Sequence, residues 1–367
     1  EGKYRRIKLS RRIGGHPLPQ VDVVDMREEW AGHATPRVIS HLLENCMRRS
    51  LDADEQVILF LNRRGYSPVI RCPRCGEVVR CPRCDIALSY HRRINVASCH
   101  YCRYERRPPE ACPECGAEKL RFGGTGTERI EDAVEKRFPD YGYVRMDSDT
   151  MQGREAHEKA LEPFRKGETP ILIGTQMIAK GLDFPNVTTV GVVNADVALH
   201  LPDFRARERT FQLLAQVAGR TGRGEKGGRV IVQTFLPTDP SINAAAEHDY
   251  EKFARHELPH RKRLKYPPFG RMARIICRGK KQDEIEDYMQ GLGDALRSLA
   301  AEREDGSQVL GPAPAPVSRI KRRYRYHLMV KCPGPGAVHD MLDEVSGLLD
   351  GPSGCKVIVD VDPQSML

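Results

Sequence analysis

Short runs of continuously apolar residues recur along the first two thirds of the chain: Val57–Leu61, Ile171–Ile173, Val190–Val193 and Val230–Val232. Runs of this length without alternation are the pattern of strands buried on both faces. Between them the apolar positions change to helical spacing. Val38, Leu42, Leu43, Cys46 and Met47 follow Thr35-Pro36, a good N-cap with proline at the first helical position, and two more helices are expected over Ile130–Phe138 and Phe211–Ala218. Strands alternating with helices predict βαβ units and a parallel sheet, whose ligands bind beyond the carboxyl ends of the strands.

Past Thr234 the character changes. Helix-like sequence leads to Pro267-Pro268, read as a domain boundary. Beyond it the pattern predicts a strand over Met272–Arg278, a helix over Glu284–Ala301, strands from Val309 and over Tyr324–Lys331, a helix over Val338–Leu349 and a last strand over Val357–Val361. That order, βαββαβ, is the split ferredoxin-like arrangement. Gly311–Pro316, which alternates proline with small residues, is expected to be a stiff loop.

With 367 residues, 40% of them apolar, the chain is long enough for two or three units, each with its own core. It contains no apolar stretch long enough to span a bilayer and no apolar secretory signal near its start, so a cytoplasmic protein without membrane association is expected. It begins with Glu1, which suggests a truncated chain. The net charge of +9 favours an anionic partner without specifying one.

The cysteines change the picture further. Eight of the 12 lie between Cys72 and Cys115 as four Cys-x-x-Cys pairs. In a long cytosolic chain such knuckles fit tetrahedral zinc thiolate sites; redox-active pairs are the rival reading. Two zinc ions are expected. The nested pairing, with Cys72, Cys75, Cys112 and Cys115 at one zinc and Cys81, Cys84, Cys99 and Cys102 at the other, gives the inner site close to zinc-ribbon spacing. The two other pairings of the four knuckles remain open.

The loops that follow the strands carry the most specific signal. Gly174-Thr175-Gln176-Met177 and Lys180-Gly181-Leu182-Asp183-Phe184 come after one strand, and Gln216-Val217-Ala218-Gly219-Arg220-Thr221-Gly222-Arg223-Gly224 comes later. Together they resemble motifs V and VI of superfamily 2 helicases. Two guanidinium groups three residues apart on one helix face, Arg220 and Arg223, can reach the β and γ phosphates of a nucleotide and stabilise charge as the phosphoryl group leaves; Gln216 shares that face. The plain alternative is a basic helix face with no ligand. No GK[ST] loop is present, so ATP and Mg²⁺ would need phosphate-binding residues from elsewhere. Gly-rich Phe122–Arg129 lacks the required lysine and reads either as a helicase loop near the DNA backbone or the ATP cleft, or as a tight turn.

VILFLNRRGYSP, the four knuckles, FGGTGTERIE, RMDSD, GTQMIAKGLDFPNV, ADVALHLPDFRARERTFQLLAQVAGRTGRG and VDVDPQSML together resemble the PriA family of primosomal replication-restart helicases, from about Val21 onward. The resemblance implies a fold: an α/β RecA-like second helicase lobe (31–70 and 119–236) with an inserted two-zinc cysteine-rich ribbon (71–118). A helical linker (237–269) and a ferredoxin-like α+β C-terminal domain (270–367) follow. Residues 1–30, with Val21–Asp25, would be the join left by a first lobe carrying the Walker motifs. The resemblance also implies a 3′ to 5′ ATP-driven DNA translocase that recognises stalled forks and helps reload the replicative helicase. In such a protein Gly181 and Asp183 couple the nucleotide cleft to DNA contacts at Thr175 and Gln176, and Gln216 orients water or the γ-phosphate. Single-stranded and forked DNA, a single-stranded-DNA-binding protein and other primosome proteins would be its partners, with the protein a monomer in the bacterial cytoplasm near the nucleoid.

One basic stretch is read from the residues alone. Arg319, Lys321, Arg322, Arg323 and Arg325, with Tyr324 and Tyr326 among them, suit phosphate contact and base stacking; the bland reading is a strand edge protected by charge. The arginines of the cysteine block support contact with DNA or protein, and five acidic residues there weigh against it. A wedge at the fork and a docking face are equally open for the block. Two rival functions complete the expectations: a restart scaffold that binds DNA without hydrolysis, and a zinc-ribbon RNA-processing or transcription factor, which leaves the QxxGRxGR run without a purpose.

Overall fold

The structure is a computed structural model, and it describes residues 5, 7, 17–30, 37–61, 70–82, 87–91, 95–99, 104–118, 120–122, 127–146, 154–175, 184–221, 227–320 and 322–366. The chain divides into two compact units. The first comprises Glu1–Gly65, Thr125–Leu199 and Glu208–Phe253; the second comprises Tyr66–Gly124, His200–Arg207 and Ala254–Leu367.

In chain order the elements begin with β1 (Gln20–Asp25), α1 (Met26–Trp30), α2 (His41–Asp52) and β2 (Gln56–Phe60). Five short strands of the cysteine block follow: β3 (Ile70–Arg71), β4 (Ser89–His91), β5 (Val96–Ser98), β6 (Glu105–Arg106) and β7 (Arg121–Phe122). Then come α3 (Thr127–Arg137), β8 (Tyr143–Met146), α4 (Arg154–Arg165), β9 (Ile171–Gly174), β10 (Val187–Val192), α5 (Asp196–Leu199), α6 (Ala206–Ala218), β11 (Arg229–Thr234), α7 (Pro240–Ala246) and α8 (Tyr250–Arg263). The last elements are β12 (Arg271–Gly279), α9 (Gln282–Arg303), β13 (Gln308–Ile320), β14 (Arg323–Cys332), α10 (Pro335–Glu344) and β15 (Lys356–Val361).

The first unit is built on a parallel sheet in the order β1-β11-β10-β2-β9-β8. Side chains alternate between its faces, and both faces are covered. Ile58, Phe60, Leu172, Val190, Val192, Val230 and Val232 point into one core with Leu161 and Phe164 of α4, Phe211, Leu214 and Val217 of α6 and Ile242 of α7. Val57, Leu59, Ile171, Ile173 and Ile231 point into the other, with Leu43 and Met47 of α2, Ile130 and Val134 of α3, and Phe138 just past its end. Each such buried aliphatic side chain contributes about 1.5–3 kcal/mol, which is why the strands read as unbroken apolar runs.

Two local expectations shift. The α2 N-cap is Ser40, whose hydroxyl accepts from the Leu43 amide at 3.2 Å, while Thr35 lies outside the described residues. The cap falls later because Ser40 is fixed by the sheet, its own amide donating to the Gln233 side chain at 2.7 Å. Val21–Asp25, expected to be a join, instead forms β1, in register with β11 from Gln20↔Arg229 to Asp25↔Thr234. Its alternating Val and Asp residues suit the half-exposed edge it occupies.

The second unit holds the βαββαβ fold as the sequence predicts it. Its sheet is antiparallel in the order β13-β14-β12-β15. Ala273, Ile275, Cys277, Leu328 and Val330 face α9 and α10 through Ile285, Met289, Leu292, Leu296, Val338 and Met341. Met272 and Met329, on the opposite face by strand alternation, enter a different core, made with Ile70, Val79, Cys81, Leu88, Ala97, Cys99, Tyr266 and Met366. The cysteine block, an insertion in sequence, therefore shares its core with the C-terminal sheet.

Gly311–Pro316, expected as a loop, runs inside β13. β13 lies at the edge of the sheet, and its register with β14 shifts between Leu310 and Ala313 and again between Pro314 and Arg319. An irregular edge strand tolerates prolines because the missing N–H groups cost no ladder bond. The division between the units falls within α8, after Phe253, and not at Pro267-Pro268. Phe253 stacks on Phe211 in the first unit, while Arg261 pairs with Glu257 in the second, so the span 237–269 is not a separate linker. No helix among the described residues is long and apolar enough to cross a membrane.

Candidate functional site

The cysteine cluster is the most sharply defined site. Cys72 and Cys75 follow β3, and Cys112 and Cys115 precede β7, whose antiparallel pairing with β3 through Ile70↔Phe122 and Arg71↔Arg121 brings the two knuckles together. All four Sγ atoms lie within 4.8 Å of one another, with Cys72 to Cys115 at 3.6 Å and Cys75 to Cys112 at 3.5 Å. A tetrahedral zinc with Zn–S bonds of about 2.3 Å separates its sulfurs by about 3.8 Å, so these four residues fit the ion.

The knuckles are near copies of each other. The amides of Cys72 and Cys112 donate to the carbonyls of Glu77 and Ala117, both at 2.8 Å, and those of Gly76 and Gly116 return to Cys72 and Cys112 at 3.0 and 2.9 Å. Closing so tightly puts the glycines at φ of 79° and 72°, the left-handed region that favours glycine. The Arg74 amide points at the Cys72 sulfur at 3.4 Å, a bond suited to a thiolate. Burial pushes the Cys72 and Cys75 thiols up, whereas the Ala117 amide draws Cys115 down to about 7.

Cys81 and Cys99 are buried a short way off in the core beside the three strands β4-β5-β6. The Cys99 amide donates to the Tyr104 carbonyl at 2.8 Å, the same five-residue reach as in the other knuckles. Cys84 and Cys102 lie outside the described residues.

Of the helicase-like residues, Thr175 stands at the carboxyl end of β9, buried, with its amide donating to the Met146 carbonyl at 3.3 Å. Gln216 lies on the exposed side of α6, and Arg220 lies just past its end, half-buried. Next to it, the Thr221 hydroxyl donates to the carbonyls of Val187 at 3.1 Å and Thr188 at 3.3 Å, the first residues of β10. This anchor sets Arg220 at the amino edge of the sheet, opposite to Thr175. The cause is the crossover: α6 runs back against the parallel strands to reach β11, so its last turn returns to the amino edge. Gln176, Gly181, Asp183 and Arg223 lie outside the described residues, as does most of Phe122–Arg129.

The basic stretch forms the tip of the β13–β14 hairpin, where Arg319↔Tyr324 and Ile320↔Arg323 close a turn with Arg322 at φ 62°. Arg319, Arg322 and Arg323 are exposed, and the Arg319 guanidinium covers the Tyr324 ring at 4.7 Å. Arg325 is half-buried; it donates to the Val317 carbonyl at 3.0 Å, and burial beside Arg278 lowers its pKa. Tyr326 is no stacking platform. It is buried, donating to Glu286 and accepting from Gln282, both at 2.9 Å, because strand alternation turns it toward α9. Lys321 lies outside the described residues.

Three segments of the chain match family models: residues 81–107 the PriA DNA helicase Cys-rich region domain, residues 124–225 the helicase conserved C-terminal domain, and residues 262–364 the primosomal protein N C-terminal domain. Replication restart protein PriA of Bacillus subtilis is 44% identical over 90% of the chain, that of Synechocystis sp. 40% over 98%, and that of Treponema pallidum 39% over all of it. The chain belongs to the PriA family. It spans 41%, 43% and 54% of those three relatives, about half their length. The PriA Cys-rich model takes in Cys81, Cys84, Cys99 and Cys102, and Cys72, Cys75, Cys112 and Cys115 frame it on either side.

The segment around LPDFRAR carries part of the PriA resemblance, and its sequence alone suggests no role for it. In the structure His200, Asp203 and Phe204 are held inside the second unit, a placement that no periodicity in the segment announces. Among the described residues neither ring nitrogen of buried His200 has a hydrogen-bond partner, and its pKa lies well below the ordinary value because of burial and then of Arg71 and Arg80 nearby.

Proposed function

We propose that this chain is the second motor lobe, zinc module and C-terminal DNA-binding domain of an ATP-dependent 3′ to 5′ DNA helicase that acts in replication restart. The observation that carries the reading is the placement of Gln216 in the last turn of α6 and of Arg220 just past its end, where Thr221 is pinned to the sheet edge opposite Thr175. A motor needs its nucleotide-facing and DNA-facing residues apart yet joined by stiff elements, and the strands of the parallel sheet provide that separation.

In this reading Arg220 and Arg223 face the β and γ phosphates of an ATP whose Mg²⁺ and P-loop come from another lobe, and Gln216 orients the attacking water. Gly181 and Asp183 relay the state of the cleft to Thr175 and Gln176 on the DNA side. Arg319, Lys321, Arg322 and Arg323 contact backbone phosphates, and Arg325 and Tyr324 stiffen the hairpin that presents them. One zinc would be held by Cys72, Cys75, Cys112 and Cys115 and a second by Cys81, Cys84, Cys99 and Cys102. With four thiolates each and no open position, both are structural. A single-stranded-DNA-binding protein and other primosome proteins are the partners, and the names of the relatives support that setting. The chain by itself, without a GK[ST] loop, is inactive toward ATP.

The test is strand displacement by the full-length protein on a forked DNA duplex. Unwinding that needs hydrolysable ATP supports the motor. Tight fork binding with neither unwinding nor ATP turnover would favour the non-hydrolysing scaffold instead.

A further inference from the structure

We infer that Arg278 and Lys356 extend the DNA-contacting surface of the basic hairpin across the C-terminal sheet, where they seat backbone phosphates of a single strand that crosses β14, β12 and β15. This inference rests on the DNA-binding reading of the hairpin above and adds two residues and a direction to it.

The placement follows from strand register. Arg278 of β12 stands directly opposite Arg325 of β14 on one side and Lys356 of β15 on the other. Directly opposed residues project to the same face of a sheet. Their neighbours Cys277, Tyr326 and Val357 pack into the core made with α9 and α10, so the three cations line the opposite face. Two residues from Arg325 along β14, Arg323 continues the line to the hairpin tip, and Ile320, its partner on β13, exposes apolar surface beside it. Neighbouring strands are about 4.8 Å apart and alternate residues of one strand about 7 Å apart, so the cations recur at short intervals.

Three observations point to an anion on this row. Like charges directly opposite each other across strands are destabilising, and among the described residues none of Arg278, Arg325 and Lys356 has an acidic ion-pair partner. Burial and then Arg278 hold the Arg325 pKa down, which shows that the two guanidinium groups feel each other. The Nε of Arg278 is buried and has no hydrogen-bond partner among the described residues, so a phosphate oxygen at that guanidinium would satisfy a donor that the fold does not. Protection of a sheet edge, the ordinary use of a basic residue on a strand, accounts for Lys356 on β15 but not for Arg278, because β12 is an interior strand. A nucleic-acid strand carries a charge on every unit and so matches a run of closely spaced cations. Arg325, tied to the Val317 carbonyl, is the fixed member of the row, and half-buried Arg278 and exposed Lys356 reach the phosphates.

The experiment titrates full-length protein with single-stranded oligonucleotides at several salt concentrations, without nucleotide, and records the melting temperature of each variant. Arg278→Gln and Lys356→Gln should each lower the slope of log affinity against log salt by about 0.7, and the double variant by about 1.4. The loss should be the same on oligonucleotides of different sequence, because phosphate contacts carry no base information. Arg278→Lys, which keeps the charge, should retain the slope. Melting temperatures should hold or rise, since each Gln removes a like-charged neighbour. Lys281→Gln, which removes a cation already paired with Glu284 at the same end of the sheet, should leave the slope unchanged. An unchanged slope in the double variant overturns the inference. If Arg322→Ala with Arg323→Ala lowers the slope in the same titration, the row alone falls; if neither pair lowers it, the DNA-binding reading of the hairpin falls with it. A melting temperature lowered in both Arg278→Gln and Arg278→Lys, with the slope of Lys356→Gln unchanged, marks Arg278 as a packing residue and also overturns the inference.

Discussion

Cys72, Cys75, Cys112 and Cys115 were legible as a set because knuckle chemistry is local: two cysteines and a glycine at fixed spacing suffice to build each half. On the zinc reading each site supplies on the order of 10 kcal/mol of folding energy to a block of two- and three-residue strands. Purified protein is expected to contain close to two zinc ions per chain by atomic emission, and Cys99→Ser should release one while the Cys72 set keeps the other. Loss of both would point to a shared rather than nested arrangement. His200 was not legible, because nothing in the sequence marks a histidine that folding will bury. With its folded pKa below the ordinary 6.5, the unfolded chain binds its proton first, so stability is complete above pH 6.5 and declines as pH falls below it. The charges of Arg71 and Arg80 oppose that proton. Melting temperature should therefore drop between about pH 6.5 and 5, and His200→Phe should flatten the drop; an unchanged slope would show that His200 is not its source.

At the scale of elements, periodicity located the strands and helices well where both faces of a strand are buried or where alternation is clean. It failed at β13, where proline content outweighed the strand pattern because only the tertiary position, a bulged sheet edge, makes prolines acceptable. It also missed Tyr326, whose inward direction follows from its register opposite Cys277. On the DNA-binding reading the hairpin's cations divide by role. Arg322→Ala with Arg323→Ala should reduce the slope of log affinity for single-stranded DNA against log salt by about 0.7 for each phosphate that is no longer neutralised. Arg325→Ala, by removing the bond to Val317, should lower the hairpin's stability with less change in slope. Equal slopes in wild type and the double variant would make the basic tip a solvated strand edge.

At the scale of the molecule, the order of domains was readable and their packing was not. The cysteine block interrupts the helicase-like sequence, so sequence order assigns it there, yet Met272 and Met329 supply it with a core from the C-terminal sheet. The signal was present in Met272–Cys277, apolar at every position but Arg274, which marks a strand with both faces to cover, but it did not name the covering element. The sequence motifs suggested a nucleotide-facing role for α6, while the edge of the sheet on which Arg220 sits needed the crossover and the Thr221 anchor. The most direct test of the whole reading is the DNA-stimulated ATP turnover of full-length Arg220→Ala, measured beside its DNA affinity without nucleotide. Turnover should fall by about 10³ to 10⁵, as when other arginine fingers are removed, with DNA affinity nearly unchanged; normal turnover in that protein would contradict the assignment of α6 to the nucleotide.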